Sequence, residues 1–137
     1  MSLYYLDSTA LVKLVRDEPE SPVLRRFLAD ADLLCCDLAL VEVPRAVRRA
    51  AELDPRLPAT RLIARAGELL DAVALLPLDR GLLAVAGALV TPGLRTLDAI
   101  HVAAAVDAHL VDAFVSYDER QSAAARMLGL RTFAPRS

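Results

Sequence analysis

The chain has 137 residues, of which 55% are hydrophobic and 4% aromatic, and its formal net charge at pH 7 is −2. A chain of this length is expected to form one domain, residues 1–137, whose core needs no disulfide or structural metal. The small net charge excludes a general electrostatic attraction to nucleic acid or anionic membrane. The scarcity of aromatic residues argues against a base-stacking platform.

Strands are predicted to alternate with helices along the chain. Five short apolar runs predict strands at residues 3–6, 33–36, 73–76, 114–117 and 130–133. Periodic apolar residues predict helices at 8–16, 23–30, 38–53, 59–70, 79–89, 96–110 and 119–128. Pro44 either starts the third helix or kinks it, Thr96 is expected to cap the sixth, and Gly129 closes the seventh. This order predicts an α/β fold with a parallel sheet covered on both faces.

Cysteine usage and hydropathy indicate the compartment. Cys35 and Cys36 are neighbours in an apolar run, which predicts buried thiols in a reducing cytosol rather than a disulfide framework. The longest uncharged apolar stretch, residues 82–90, is too short to span a bilayer, and no targeting signal opens the chain. We therefore expect a cytoplasmic protein without a membrane partner.

Four acidic residues stand beside apolar runs, where an unpaired charge is costly. Asp7 and Asp118 directly follow predicted strands, Asp98 lies in the first turn of a helix, and Glu42 lies on the helix after the second strand. In parallel sheets, ligands bind beyond the carboxyl ends of the strands. Carboxylates that converge there repel one another unless a cation lies among them, and hard divalent ions prefer oxygen ligands. The pattern favours a Mg²⁺ or Mn²⁺ site.

Each acid also has a simpler interpretation. Asp7 and Asp118 can be helix N-caps, and Asp98 can be a first-turn acid that favours the helix dipole. Glu42 can reach solvent or pair with an arginine one turn away. His101, on an apolar helix, is interpreted as a packed or hydrogen-bonded core histidine rather than a ligand.

Candidate substrate-binding groups surround these acids. Hydroxyl side chains accompany three of them: Ser8, Thr96 and Ser116. They can orient a water molecule or touch phosphate. Three arginines share the helix of Glu42: Arg45, Arg48 and Arg49. Their spacing places them on one side of that helix, either as a solvated face or as a basic rim that guides phosphates toward the acids.

Four segments carry a family resemblance when taken in order. They read YLDSTALVKL at residues 5–14, LVEV at 40–43, TLDAIH at 96–101 and VSYDER at 115–120. The chain resembles the PIN domain, most closely the VapC-type toxin ribonucleases of bacterial type II toxin–antitoxin pairs. The resemblance covers essentially the whole chain and implies a three-layer α/β/α fold with a central parallel sheet of about five strands.

The resemblance also implies a chemistry and its partners. It implies a Mg²⁺- or Mn²⁺-dependent endoribonuclease that hydrolyses RNA phosphodiester bonds with a metal-activated water held by the acidic quartet. Asp7 and Asp98 then correspond to the principal metal ligands, Asp118 assists them, and Glu42 completes the pocket. A homodimer and a cognate antitoxin that covers the active-site groove are implied as well. Cys36 departs from the family pattern, because many relatives carry Ser or Thr there.

Other functions stay open. A housekeeping PIN-domain nuclease for RNA processing would have the same fold, and a non-catalytic PIN-like module would use the acids to hold basic partners. A phosphoacceptor receiver domain is disfavoured, because the only lysine, Lys13, lies in the first predicted helix and Asp7 is followed by hydroxyl residues. A nucleotide-binding enzyme is disfavoured because no Gly-rich loop follows the first strand.

Overall fold

The computed structural model describes residues 1–136. Its strands are β1 (Leu3–Leu6), β2 (Asp32–Cys36), β3 (Ala74–Leu76), β4 (Ala113–Val115) and β5 (Thr132–Phe133). Its helices are α1 (Ser8–Val15), α2 (Ser21–Phe27), α3 (Ala39–Leu53), α4 (Ala59–Ala72), α5 (Arg80–Ala88), α6 (Thr96–Asp107) and α7 (Glu119–Met127). The predicted alternation of strands and helices is confirmed.

The five strands form one parallel sheet in the order β3-β2-β1-β4-β5. The chain moves outward from β1 through β2 to β3 and then crosses back to β4 and β5. Helices α1 to α4 pack against one another on one face, and α6 packs against both α5 and α7 on the other. The result is the three-layer α/β/α arrangement. Connections between parallel strands are in general right-handed, so the helices of the outward path and those of the return path lie on opposite faces of the sheet.

The strand order reverses between β1 and β4, the two central neighbours. At their carboxyl ends the backbone N–H of Asp7 donates to the carbonyl of Val115. In open α/β sheets, the crevice beyond such a reversal is where ligands bind. The topology therefore places Asp7 and the residues after β4 at the expected position for a site.

Aspartate side chains start three of the helices that leave strands. Asp7 accepts from the N–H of Ala10, Asp79 from that of Leu82, and Asp118 from the N–H groups of Arg120 and Gln121. Each bond satisfies a backbone donor that the first turn of a helix leaves without an intrahelical partner. The N-cap interpretation of Asp7 and Asp118 is confirmed.

Small apolar side chains fill the space around the sheet. Helix α6 is buried from Ile100 to Ala105, because it packs on the sheet while α5 and α7 flank it. The rings of Tyr5 and Phe114, on neighbouring strands, stack with centroids 5.6 Å apart. Burial of this apolar surface is the main stabilising contribution to the fold. No helix within residues 1–136 is long and apolar enough to cross a bilayer.

Several predicted boundaries differ from the structure. Helix α6 ends at Asp107 rather than at residue 110, because His109 adopts a left-handed backbone with φ 60°. It begins at Thr96 with Arg95 in the cap position, so Thr96 is not the N-cap. Pro44 lies inside α3. The carbonyl one turn before it, on Leu40, loses its helical donor, and that residue is 52% exposed to water. Gly129 has φ 90°, as expected for a residue that ends a helix.

Candidate active site

Asp7 is fully buried at the end of β1. Its Oδ1 accepts hydrogen bonds from the hydroxyl of Thr9 at 2.6 Å and the N–H of Ala10 at 3.1 Å, and its Oδ2 accepts from Ser116 at 2.7 Å. Burial raises the pKa of Asp7 above its usual value, although the hydrogen bonds from Ser116 and Thr9 act in the opposite direction. No lysine or arginine among residues 1–136 forms an ion pair with this carboxylate.

Ser116 joins Asp7 to Asp118. Its hydroxyl donates to Asp7 and accepts from the backbone N–H of Asp118 at 2.9 Å. The side chain of Ser116 is 1% exposed. We therefore assign Ser116 to the positioning of these two acids, in place of the direct substrate contact considered from the sequence.

Asp98 lies in the first turn of α6, half-buried, and is held by a residue of the next helix. Its Oδ1 accepts a hydrogen bond of 3.0 Å from Nε2 of Gln121. Gln121 is 4% exposed, and its Oε1 is buried without a hydrogen-bond partner among the described residues. Sequence reasoning did not single out Gln121. The available signal was its position three residues after Asp118, on the first turn of α7.

Glu42 lies in the first turn of α3, and its side chain is 26% exposed. Its Oε1 accepts hydrogen bonds from the Ser8 hydroxyl at 2.7 Å and from Nε2 of His101 at 2.6 Å. Partial burial opposes ionisation of this carboxyl, but the hydrogen bonds from His101 and Ser8 outweigh it and lower the pKa of Glu42. The alternative pairing with Arg45 is not formed.

His101 is a hydrogen-bonded core histidine, as predicted. It is 1% exposed, and its Nδ1 lies 2.8 Å from the hydroxyl of Tyr5. Burial alone lowers the pKa of His101, but hydrogen bonds to Cys36 and Glu42 raise it to about 10. Its contact with Glu42 was missed from the sequence. The signal was its spacing of three residues from Asp98, which places both side chains on one side of α6.

Three grooves open above these groups, and Glu42 lines all three. The acidic groove, about 420 Å³, brings Glu42 together with Thr96, Asp98 and Asp118. The serine groove, also about 420 Å³, contains Ser8, Thr9, Lys13 and Tyr117. The arginine groove, about 710 Å³, contains Arg45, Arg48 and Arg49 along α3. Glu42 is thus the residue at which the basic and acidic surfaces meet.

The three arginines of the arginine groove are exposed and free for a ligand. No salt bridge within the part of the chain that the structure describes involves Arg45, Arg48 or Arg49. Guanidinium groups match phosphate oxygens in geometry and charge. Both the basic-rim and the solvated-face interpretations are compatible with this arrangement.

The oxygen donors of the acidic groove are suited to a hard divalent ion. No three carboxylates among residues 1–136 have oxygen atoms within 4.8 Å of one another. An ion here can therefore have one or two direct carboxylate ligands and water for the rest, which is the usual coordination of Mg²⁺ in proteins. Asp7 does not line the groove; it is a fully buried carboxylate, without a basic ion-pair partner, that Ser116 joins to Asp118. Asp98 and Asp118 line the groove itself.

Cys35 and Cys36 are both buried thiols, as predicted. Their sulfur atoms lie 4.0 and 3.9 Å from Nδ1 of His101. Together with His101 they form the only group of three or more His, Cys, Asp or Glu residues within 1–136 whose ligand atoms all lie close to one another. The hydroxyl of Tyr5 is the short contact of Nδ1, at 2.8 Å, and the two thiols make longer and weaker hydrogen bonds to the same nitrogen.

Comparison with known proteins identifies the family. The family model described as PIN domain matches residues 4–127. Ribonuclease VapC46 of Mycobacterium tuberculosis strain ATCC 25618 / H37Rv is 41% identical over 140 residues, covering 98% of this chain and 99% of that protein. Ribonuclease VapC47 of strain CDC 1551 / Oshkosh is 35% identical, and Ribonuclease VapC35 is 39% identical, each aligned over 97% of both chains.

A solved structure supports the fold. The crystal structure of PAE2754 from Pyrobaculum aerophilum superposes with a TM-score of 0.66 at 20% sequence identity, covering 96% of this chain and 83% of that one. At this identity the likeness concerns the fold alone. The family match and the full-length relatives together show that the chain belongs to the PIN-domain family, as a member of its VapC type.

Proposed function

We propose that this protein is a divalent-metal-dependent endoribonuclease and acts as the toxin of a toxin–antitoxin pair. The observation that carries the proposal is the position of Glu42, where the arginine groove meets the acidic groove. A chain of phosphates along the arginines would lead directly to the carboxylates. The relatives are named ribonucleases, which agrees with RNA as the substrate.

The arginine groove supplies the substrate path in this proposal. Arg45, Arg48 and Arg49 would bind phosphates on either side of the scissile bond, since the net charge of −2 gives no general attraction to RNA. Thr96 is exposed in the acidic groove and would contact a phosphate or sugar oxygen. Ser8 would act through Glu42, to which its hydroxyl is already bonded.

The acidic groove supplies the chemistry. Asp7 and Asp98 would be the principal ligands of Mg²⁺ or Mn²⁺, and Asp118 would assist from the first turn of α7. The bound ion lowers the pKa of water and neutralises phosphate charge. Ser116, Thr9 and Gln121 hold these carboxylates in place through the hydrogen bonds described above. Glu42 faces the junction of the grooves, where a proton from the attacking water can be accepted.

Partners follow from the family and the surface. We propose a cognate antitoxin that covers the groove and a homodimeric assembly, with action in the cytoplasm, where RNA is available. Two exposed apolar side chains that line the arginine groove, Val41 and Leu97, offer contact surface for such a protein. Light scattering during size-exclusion chromatography measures the assembly, and a monomer over the micromolar range would contradict the dimer.

The first experiment is cleavage of defined single-stranded and structured RNAs with Mg²⁺, Mn²⁺ or chelator. We expect metal-dependent cleavage by the wild type and its loss in Asp98→Asn. The matched control is Asp107→Asn, an exposed acid on the same helix, which should cleave at the wild-type rate. Cleavage retained by Asp98→Asn, or unaffected by chelator, would contradict the proposal.

Growth on expression tests the toxin role separately from the nuclease. We expect expression of the wild type without an antitoxin to arrest growth, and Asp98→Asn to leave growth unaffected. RNA cleavage in vitro without growth arrest would favour the housekeeping nuclease instead.

A further inference from the structure

His101 is a buried group that links the active site to the core. On one side its Nε2 lies 2.6 Å from Oε1 of Glu42, and on the other its Nδ1 lies 2.8 Å from the hydroxyl of Tyr5. Tyr5 is fully buried in β1, and His101 is 1% exposed on α6. Neither side chain can touch an RNA ligand. Any effect they have on the reaction must therefore pass through Glu42.

Tyr5 contacts the imidazole nitrogen that faces away from Glu42, and it therefore fixes the orientation of the ring. Its hydroxyl is hydrogen-bonded to Nδ1, which leaves Nε2 as the ring nitrogen that contacts Glu42. A neutral imidazole that accepts at Nδ1 carries its proton on Nε2, and an imidazolium carries protons on both nitrogens. In either form Nε2–H donates to the carboxylate of Glu42.

The thiols around the imidazole do not replace Tyr5 in this role. The sulfur atoms of Cys35 and Cys36 lie 4.0 and 3.9 Å from Nδ1, and thiols are weak donors and acceptors. The phenol is the strong partner at 2.8 Å. It is anchored by stacking on Phe114, so the imidazole plane is held from the sheet side.

Both hydrogen bonds to Glu42 end on the same oxygen. Ser8 and His101 bond to Oε1, which leaves Oε2 available to the junction of the grooves. A glutamate side chain has three rotatable bonds before the carboxylate and loses considerable rotamer freedom when ordered. Two short bonds on one oxygen fix its direction before a substrate arrives.

We propose that His101, oriented by Tyr5, is a positioning residue that holds the carboxylate of Glu42 toward the junction of the acidic and arginine grooves. The role rests on the proposed nuclease function and adds to it two residues that act on the reaction only through Glu42. Mutation of a residue that holds a metal ligand or catalytic group in place by a hydrogen bond typically lowers activity by about 10- to 100-fold. The effect should appear in kcat rather than KM, because neither residue reaches the substrate.

Steady-state cleavage of a defined RNA tests the role. We expect His101→Leu to lower kcat by about 10- to 100-fold with KM unchanged, and His101→Gln to recover much of the decrease, because its amide Nε2–H can still donate to Glu42. Tyr5→Phe should lower kcat by a smaller factor. Its matched control is Tyr4→Phe on the same strand, whose ring stacks on Phe27 and which should leave kcat unchanged.

Nitrogen NMR of the imidazoles supplies a readout that does not depend on activity. The chain has two histidines, so ¹⁵N-histidine labelling gives one buried signal and one exposed internal control, His109. We expect a proton on Nε2 of His101 whose resonance shifts in Glu42→Gln and in Tyr5→Phe, with His109 unchanged. A His101 resonance indifferent to Glu42→Gln would overturn the proposal.

The positioning role and the nuclease function fail in different ways. Wild-type protein without metal-dependent RNA cleavage overturns the proposed function. If the wild type is active and His101→Leu has the same kcat, only the positioning role is overturned. Equal decreases in His101→Leu and His101→Gln, with both variants folded, also overturn it, because the donated hydrogen bond would then be irrelevant.

Discussion

The hydroxyl of Ser116 donates a hydrogen bond of 2.7 Å to Oδ2 of Asp7, across 109 positions of the chain. The pairing of β1 with β4 creates this contact at the point where strand order reverses. The same hydroxyl accepts from the backbone of Asp118, so one buried group aligns two of the candidate metal ligands. The geometry of the acidic groove therefore depends on neutral hydrogen-bonding residues as well as on the acids.

Ser116→Ala should weaken metal binding without removing any acid. Removing this bond withdraws one of the interactions that favour the charged form of Asp7, so its pKa should rise further. We expect Mn²⁺ affinity at constant pH to fall about 10-fold in titration calorimetry. Ser122→Ala, which changes a buried serine on α7, is the control and should bind Mn²⁺ like the wild type. Equal affinities for wild type and Ser116→Ala would refute this dependence.

Asp7→Asn should stabilise the metal-free protein while abolishing cleavage. The pKa of Asp7 is raised by burial, so the folded state holds its proton more tightly than the unfolded chain does. The stability that the folded state gains from proton binding at Asp7 is therefore fully present below the unfolded pKa. It decreases as pH rises and is lost above the folded pKa. We expect a higher unfolding midpoint for Asp7→Asn than for wild type at neutral pH.

The difference in unfolding midpoint should shrink toward zero below about pH 3.9, where the unfolded Asp is protonated as well. Thermal unfolding of both proteins in chelator at several pH values measures this. Mn²⁺ should raise the midpoint of the wild type and leave that of the variant unchanged. A wild type more stable than Asp7→Asn without metal at neutral pH would contradict this prediction.

Gln121→Met should separate catalytic geometry from stability. Methionine fills a similar volume but cannot donate to Oδ1 of Asp98. It also removes the buried Oε1 that has no partner within residues 1–136, so the free energy of unfolding should stay level or increase. We expect cleavage to fall about 10-fold while the unfolding midpoint is maintained. Parallel decreases in activity and stability would point to a purely structural role.

Removal of the arginine-groove charges should weaken RNA binding and its salt dependence. We expect an Asp98→Asn background to bind RNA without cleaving it, and in that background Arg45→Gln, Arg48→Gln and Arg49→Gln should each reduce affinity. For every phosphate that an arginine no longer neutralises, the slope of log affinity against log salt should fall by about 0.7. Arg61→Gln, an exposed arginine on α4 outside the groove, serves as control. Unchanged slopes in all three variants would favour the solvated-face interpretation.

Much of the architecture was predictable because its causes are local. Short apolar runs predict the strands, and apolar residues at helical spacing predict the helices. Aspartates that follow strands predict where helices begin. Boundaries were less predictable. The left-handed backbone of His109 ends α6 three residues before the predicted end. Pro44 is tolerated inside α3 because water reaches the carbonyl that loses its helical donor.

Local patterns in the sequence were sufficient to predict the α/β class, the four acids with the hydroxyls and arginines around them, and the family resemblance. The tertiary structure alone decided that Gln121 holds Asp98, that Ser116 joins Asp7 to Asp118, and that His101 and Tyr5 hold Glu42. These contacts connect different helices and strands. Their geometry depends on strand order and on the packing of both helix layers. Neither of these can be deduced from the spacing of residues along the chain.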